Sequence, residues 1–145
     1  MKKQNFIIAL LICLGLTFIF SSCKKEPNCD CDSDQNVLIG QTEYKNAPVD
    51  PGMKILNMEI EGDCLKIKYQ TNTCNGGTWI EKFIDRGDLI KTYPAQRTLK
   101  LSFDNKELCD MLFEKEISFN IKCLQVKGDK EVQLNIADQS ILYKY

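Results

Sequence analysis

The stretch Leu56-Asn57-Met58-Glu59-Ile60-Glu61-Gly62-Asp63-Cys64-Leu65-Lys66-Ile67-Lys68-Tyr69 decides the fold. Leu56, Met58 and Ile60 alternate with polar residues, and Leu65, Ile67 and Tyr69 resume the alternation against Lys66 and Lys68. Period two marks a strand with one buried face, because successive side chains project to opposite sides. Glu61-Gly62-Asp63 between the runs has the composition of a tight turn, so the segment predicts a β-hairpin.

Working outward, the same signal recurs. Thr73–Gly77 punctuates the chain, and Trp79–Ile84 reads as a third strand ended by a turn at Asp85–Asp88. Leu89–Tyr93 reads as a short fourth, stopped by Pro94. Leu99, Leu101 and Phe103 alternate, as do Ile117, Phe119 and Ile121. Val132, Leu134 and Ile136 follow a turn at Lys127–Lys130, and Ile141, Tyr143 and Tyr145 close the chain. Asn105–Phe113 is open between a helical turn capped by Asn105, with Leu108, Met111 and Leu112 on one side, and a loop at a strand edge. The expectation is an all-β fold, an antiparallel β-sandwich or small barrel of about seven or eight strands, over residues 37–145. Short turns favour antiparallel neighbours.

Upstream the composition changes. Met1, Lys2 and Lys3 precede an apolar run from Phe6 to Phe20, and Ser21-Ser22-Cys23 follows. A positive start, an apolar middle and small residues before a cut read as an export signal over residues 1–22. The run is shorter than the ~20 apolar residues of a comfortable membrane span; the alternative is an uncleaved anchor helix. The segment resembles bacterial lipoprotein signals, which are cut before a cysteine that has received a diacylglyceryl group. Phe20 stands where those signals usually carry Leu, Val or Ile. The resemblance implies lipidation of Cys23 and a membrane anchor, with acyl chains each contributing about 0.8 kcal/mol per buried CH₂. Residues 23–36 hold no large apolar side chain and read as a solvated acidic linker. Cys23-Lys24-Lys25-Glu26, with acids close behind, also resembles the charged signal that carries Bacteroidota lipoproteins to the cell surface. The expected location is the outer membrane, at its periplasmic face or at the cell surface.

Removing residues 1–22 leaves 123 residues and moves the net charge from −1 to −3, since Lys2 and Lys3 leave with the signal. That length supports one domain with a real core. Acids and lysines are interspersed, so no basic field points to nucleic acid. Of the eight cysteines, Cys13 lies in the signal and Cys23 takes the lipid. Cys29, Cys31, Cys64, Cys74, Cys109 and Cys123 remain as disulfide candidates, an even set that suits an oxidising compartment. A zinc site is disfavoured by the absence of His and of any C-x₂-C pair, so no metal and no cofactor is expected. Cys29 and Cys31 read as a staple between linker and domain, because Asp30 and Asp32 beside them disfavour a reactive thiolate.

With no His, the Ser-His-Asp and Cys-His arrangements are excluded, and no catalytic residue is assigned. Paired carboxylates such as Glu59/Glu61 or Asp85/Asp88 leave a hydrolase as a third reading. Glycine-rich phosphate motifs are absent. Asp30-x-Asp32-x-Asp34 opens like a calcium loop, but Gln35 and Gln41 stand where that loop needs Gly and Glu. Trp79 is the candidate ligand-binding aromatic, since it follows a Gly-Gly turn; strand-spaced aromatics otherwise pack in cores. Arg86-Gly87-Asp88, the adhesion tripeptide, reads as a hairpin turn.

Cys74–Trp79, Phe83–Asp85, Tyr93–Arg97, Leu99–Ser102, Glu107–Cys109, Lys115–Ile121, Leu124–Val126 and Ile141–Tyr145 together resemble a group of small Bacteroidota lipoproteins without assigned activity. The resemblance covers residues 53–145. It implies a disulfide between Cys74 and Cys109, worth about 4 kcal/mol in the chain-entropy treatment, and leaves the partner of Cys123 open among Cys64, Cys29 and Cys31. The functional expectation is a lipid-anchored, non-enzymatic module that binds an unknown protein or glycan partner or serves as an envelope component. The alternative is an inhibitor or accessory subunit of an envelope enzyme.

Overall fold

The structure is a computed structural model, and it describes residues 37–74, 78–107 and 109–145. The signal, Cys23, the linker and the Asp30-x-Asp32-x-Asp34 motif lie outside the described residues. Eight strands form two sheets: β1 (Leu38–Ile39), β2 (Lys54–Glu61), β3 (Cys64–Thr73), β4 (Ile80–Ile90), β5 (Ala95–Asp104), β6 (Met111–Asn120), β7 (Glu131–Ile136) and β8 (Gln139–Lys144). One short helix, α1 (Gln41–Asn46), follows β1. The five-stranded sheet runs β1-β4-β5-β7-β8 and the three-stranded sheet β2-β3-β6. The fold is the all-β sandwich that the alternation predicts.

The hairpin is β2–β3, with Glu61 opposite Cys64 and Gly62 at φ 59°, a conformation that suits glycine. Its inner face carries Leu65, Ile67 and Tyr69, all fully buried, against Phe83, Leu99, Leu101 and Phe103 of the other sheet. A register shift between Ile55 and Asn57 buries Ile55 and leaves Leu56 37% exposed. Leu56 is therefore not on the core face that strict alternation assigns it.

Two further departures share one cause, contacts between residues distant in sequence. Asp85–Asp88 does not end a strand: β4 runs unbroken from Ile80 to Ile90, merging the predicted third and fourth strands. The four residues form a bulge, since β4 advances from Asp85 to Leu89 while β5 advances only from Leu99 to Arg97. Gly87 has φ 90° there. Arg86-Gly87-Asp88 accordingly sits on a bulge, not in a hairpin turn. The five-stranded sheet is also mixed, because β1–β4 and β5–β7 are parallel. Between β5 and β7 the chain crosses to the other sheet as β6, so the two strands meet by a crossover and not through a turn. Of the two readings of Asn105–Phe113, the structure takes the loop at a strand edge, with β6 beginning at Met111; Leu108 lies outside the described residues.

Candidate functional site

Three polar ties join the two layers. Tyr69 on β3 donates its hydroxyl to Glu81 on β4, and Lys115 on β6 pairs with the same carboxylate at 2.7 Å. Burial and that hydrogen bond push the Tyr69 phenol well above the usual tyrosine range. Tyr143 on β8 donates to Asp63 in the hairpin turn, and Gln125 bridges both. Within the five-stranded sheet, Arg97 Nη1 lies 2.6 Å from Asp85 Oδ2, and Asp85 is fully buried. The most buried carboxylates are thus engaged in fixed structural pairings.

The carboxylate pairs noted in the sequence do not converge. Asp85 is buried against Arg97, while Asp88 is exposed and chelated by Arg86 at 2.5 and 2.6 Å. Glu59 and Glu61 lie on the outward face of the three-stranded sheet, opposite Lys66 and Cys64 on β3. Glu61 pairs with Lys66 at 2.7 Å.

Cys74 and Cys109 form a disulfide. Glu107 binds the same region together: it accepts from Thr73 Oγ1 at 2.7 Å, the Cys74 N–H at 2.8 Å and Thr78 Oγ1 at 3.1 Å. Trp79 is half-buried beside it. Its indole N–H donates to Thr73 Oγ1 at 2.8 Å, and its ring meets Phe103 and Phe113 edge-on at 5.2 and 5.0 Å between centroids. The indole is built into the wall between the sheets. Cys64 is also disulfide-bonded. Cys123 has a free thiol, which corrects the expectation that it is paired. The residue is exposed, yet burial around the sulfur pushes the thiol pKa up. Cys29 and Cys31 lie outside the described residues.

One feature the sequence does not signal is an open cavity of about 350 Å³ at one end of the sandwich. Its floor is core: Ile55, Leu99, Leu101 and Ile136 line it, each at most 6% exposed. The segment from α1 to β2 roofs it. That segment is pinned by three contacts: Lys100 Nζ to the Tyr44 carbonyl at 2.5 Å, the Phe103 N–H to the Pro48 carbonyl at 3.2 Å, and Ser102 Oγ to the same carbonyl at 2.9 Å. Gln139 Nε2 holds the far rim through the Ile55 carbonyl at 3.0 Å. Lys54, Lys100 and Asp138 stand at the mouth with Tyr44 and Val49. Lys100 also lies over the Tyr44 ring, 4.5 Å from its centroid.

The reason for the gap is register. β7 accompanies β5 only as far as Leu99 opposite Ile136, and the roof segment takes over at Phe103. Leu101, between them, shares the parity of Phe103, whose N–H turns away from β4 to the Pro48 carbonyl, so its backbone groups face this side.

A second depression, of about 360 Å³, lies on the outer face of the five-stranded sheet between α1 and β4. Leu38 and Ile80 line it at 42% and 49% exposed, with Glu43, Lys82 and Asp104 around them.

No family model and no curated protein matches the chain. Solved structures do resemble it. A protein of unknown function, DUF1344, from Bacteroides vulgatus superposes with a TM-score of 0.54 at 15% identity, covering 77% of this chain and 56% of the other. A NigD-like immunity protein from Bacteroides caccae superposes with a TM-score of 0.56 at 10% identity, covering 75% of this chain and 58% of the other. The chain therefore matches less than two thirds of the length of these proteins, and at such identities the likeness is one of fold.

Proposed function

We propose that the protein is a lipid-anchored, extracytoplasmic β-sandwich that works by binding, and that it binds through the cavity roofed by the segment between α1 and β2. One observation carries this reading: an open concavity of about 350 Å³, with Val49, Met53 and Ala137 as its accessible apolar lining, lies directly over core residues. An apolar concavity with a few polar groups at its mouth is the usual form of a small-molecule site. Binding is favoured over catalysis because Asp85 and Glu81 are committed to Arg97 and to Tyr69 and Lys115. The anchor rests on the positive start, the apolar run and Ser21-Ser22-Cys23.

The test uses residues 23–145 with Cys23→Ser in place of the lipid, and a neutral solvatochromic dye. Saturable, blue-shifted binding that Val49→Trp abolishes by plugging the mouth is the expected result. Dye binding that survives Val49→Trp, or no binding, removes the reading. For the anchor, Cys23→Ala moves the protein out of the membrane fraction; retention there refutes lipid attachment.

A second reading is favoured by exposed Leu38 and Ile80 beside α1. There an extended segment of an envelope protein docks, and the chain acts as an accessory subunit or inhibitor. Ile80→Asp then abolishes a crosslink to that partner without lowering stability.

A further inference from the structure

The geometry points to a ligand class for the cavity: a single-chain amphipathic carboxylate, its alkyl chain along the apolar lining and its head at the lysine-bearing mouth. This rests on the proposed binding role and deepens it. The accessible lining is apolar at Val49, Met53 and Ala137, which suits a hydrocarbon and offers a sugar ring few partners. A volume of about 350 Å³ is near the lower end for ligand pockets, which admits one chain and excludes a two-chain lipid.

The mouth supplies the head's chemistry. Lys54 and Lys100 outnumber Asp138, so the rim is cationic. Lys54 makes no ion pair among the described residues. Lys100 spends one donor on the Tyr44 carbonyl, and an ammonium has three. A carboxylate at the rim and an apolar tail inward satisfy both ends. A protonated amine fits neither.

Residues 23–145 carrying Cys23→Ser are titrated with hexanoate, octanoate and decanoate, and with octanol and octyltrimethylammonium as neutral and cationic counterparts. The readout is the methyl resonances of Met53, Ile55 and Leu101. Expected are saturable shifts at these methyls and a Kd that tightens about fourfold per added methylene. Octanoate binds roughly threefold tighter than octanol, and Lys54→Glu removes that preference without moving the octanol Kd. Equal affinity for octanoate and octanol, tighter binding of the cation, or no dependence on chain length overturns the ligand class. If the neutral dye still binds in those cases, the cavity remains the site and only the class is wrong. If the dye fails as well, the binding role itself falls.

Discussion

Arg97 places Nη1 2.6 Å from Asp85 Oδ2 across neighbouring strands, in a setting where Asp85 has no solvent exposure. The pair spans the bulge of β4. Asp85 Oδ1 also accepts the Gly87 N–H at 3.1 Å, and Arg97 Nε donates to the Leu124 carbonyl at 2.9 Å. The bulge thus keeps β4 running and turns a carboxylate inward where the sequence suggests a solvated turn.

Removing one partner of such a pair leaves a buried charge uncompensated. Arg97→Met is expected to cost about 3–5 kcal/mol, and the double variant Asp85→Asn/Arg97→Met to recover part of that loss. Urea denaturation of both variants measures it. A cost below about 1 kcal/mol for the single change, as at a surface pair, shows the pair to be solvated in solution.

Tyr69 gives the protein an alkaline limit. Its folded-state pKa is raised, first by burial and then by Glu81, so above the unfolded value near 10 the unfolded chain loses this proton while the folded one keeps it. The contribution is fully present below that pH and declines above it, by up to about 1.4 kcal/mol per pH unit. Stability curves between pH 8 and pH 11 should bend downward in the parent and flatten in Tyr69→Phe.

The Cys74–Cys109 disulfide closes a sequence separation of 35 residues. In the chain-entropy treatment its removal costs about 4 kcal/mol. Cys74→Ser/Cys109→Ser, compared with the parent by chemical denaturation, checks the figure. A loss under 1 kcal/mol assigns the order of this region to the Glu107 contacts instead.

Trp79 is the only tryptophan, which makes its emission a clean probe of the wall between the sheets. Trp79→Ala removes the edge contacts with Phe103 and Phe113 and is expected to cost about 3–5 kcal/mol. Trp79→Phe keeps an aromatic ring but leaves Thr73 Oγ1 without its indole donor, so it should cost less. Thermal melts that rank the two variants in the opposite order contradict the packing described.

Cys64 is disulfide-bonded, Cys74 and Cys109 are bonded to each other, and Cys123 is free. Non-reducing peptide mapping should join the Cys64 peptide to one carrying Cys29 or Cys31. Cys123 should alkylate in the native state with a rate rising about tenfold per pH unit toward alkaline pH, because its raised pKa leaves little thiolate near neutrality. A Cys64–Cys123 link sinks this assignment.

The β2–β3 hairpin, the alternation of β5, β7 and β8, and the turns at Gly62 and Gly128 were legible because each signal lies within a few residues of chain. Leu65, Ile67 and Tyr69 face the core whatever else the fold does, since a half-buried strand admits one inward parity. The Cys74–Cys109 pair came through resemblance, since cysteine spacing fixes no connectivity. Glu107 carried no signal of its own: a carboxylate in a loop reads as solvent-facing until Thr73, Cys74 and Thr78 are brought around it.

By itself the sequence determined the class of fold, the inward faces of β3, β5 and β7 and the lack of histidine chemistry, because hydrophobic period and residue type are local properties. Only the tertiary structure decided that β5 and β7 run parallel, that Asp85 is buried on a bulge against Arg97, and that a cavity opens past Leu99. Those outcomes depend on which strand meets which and where one ladder stops short of the next. Pairings between residues far apart in the chain set them, and no local pattern encodes those pairings.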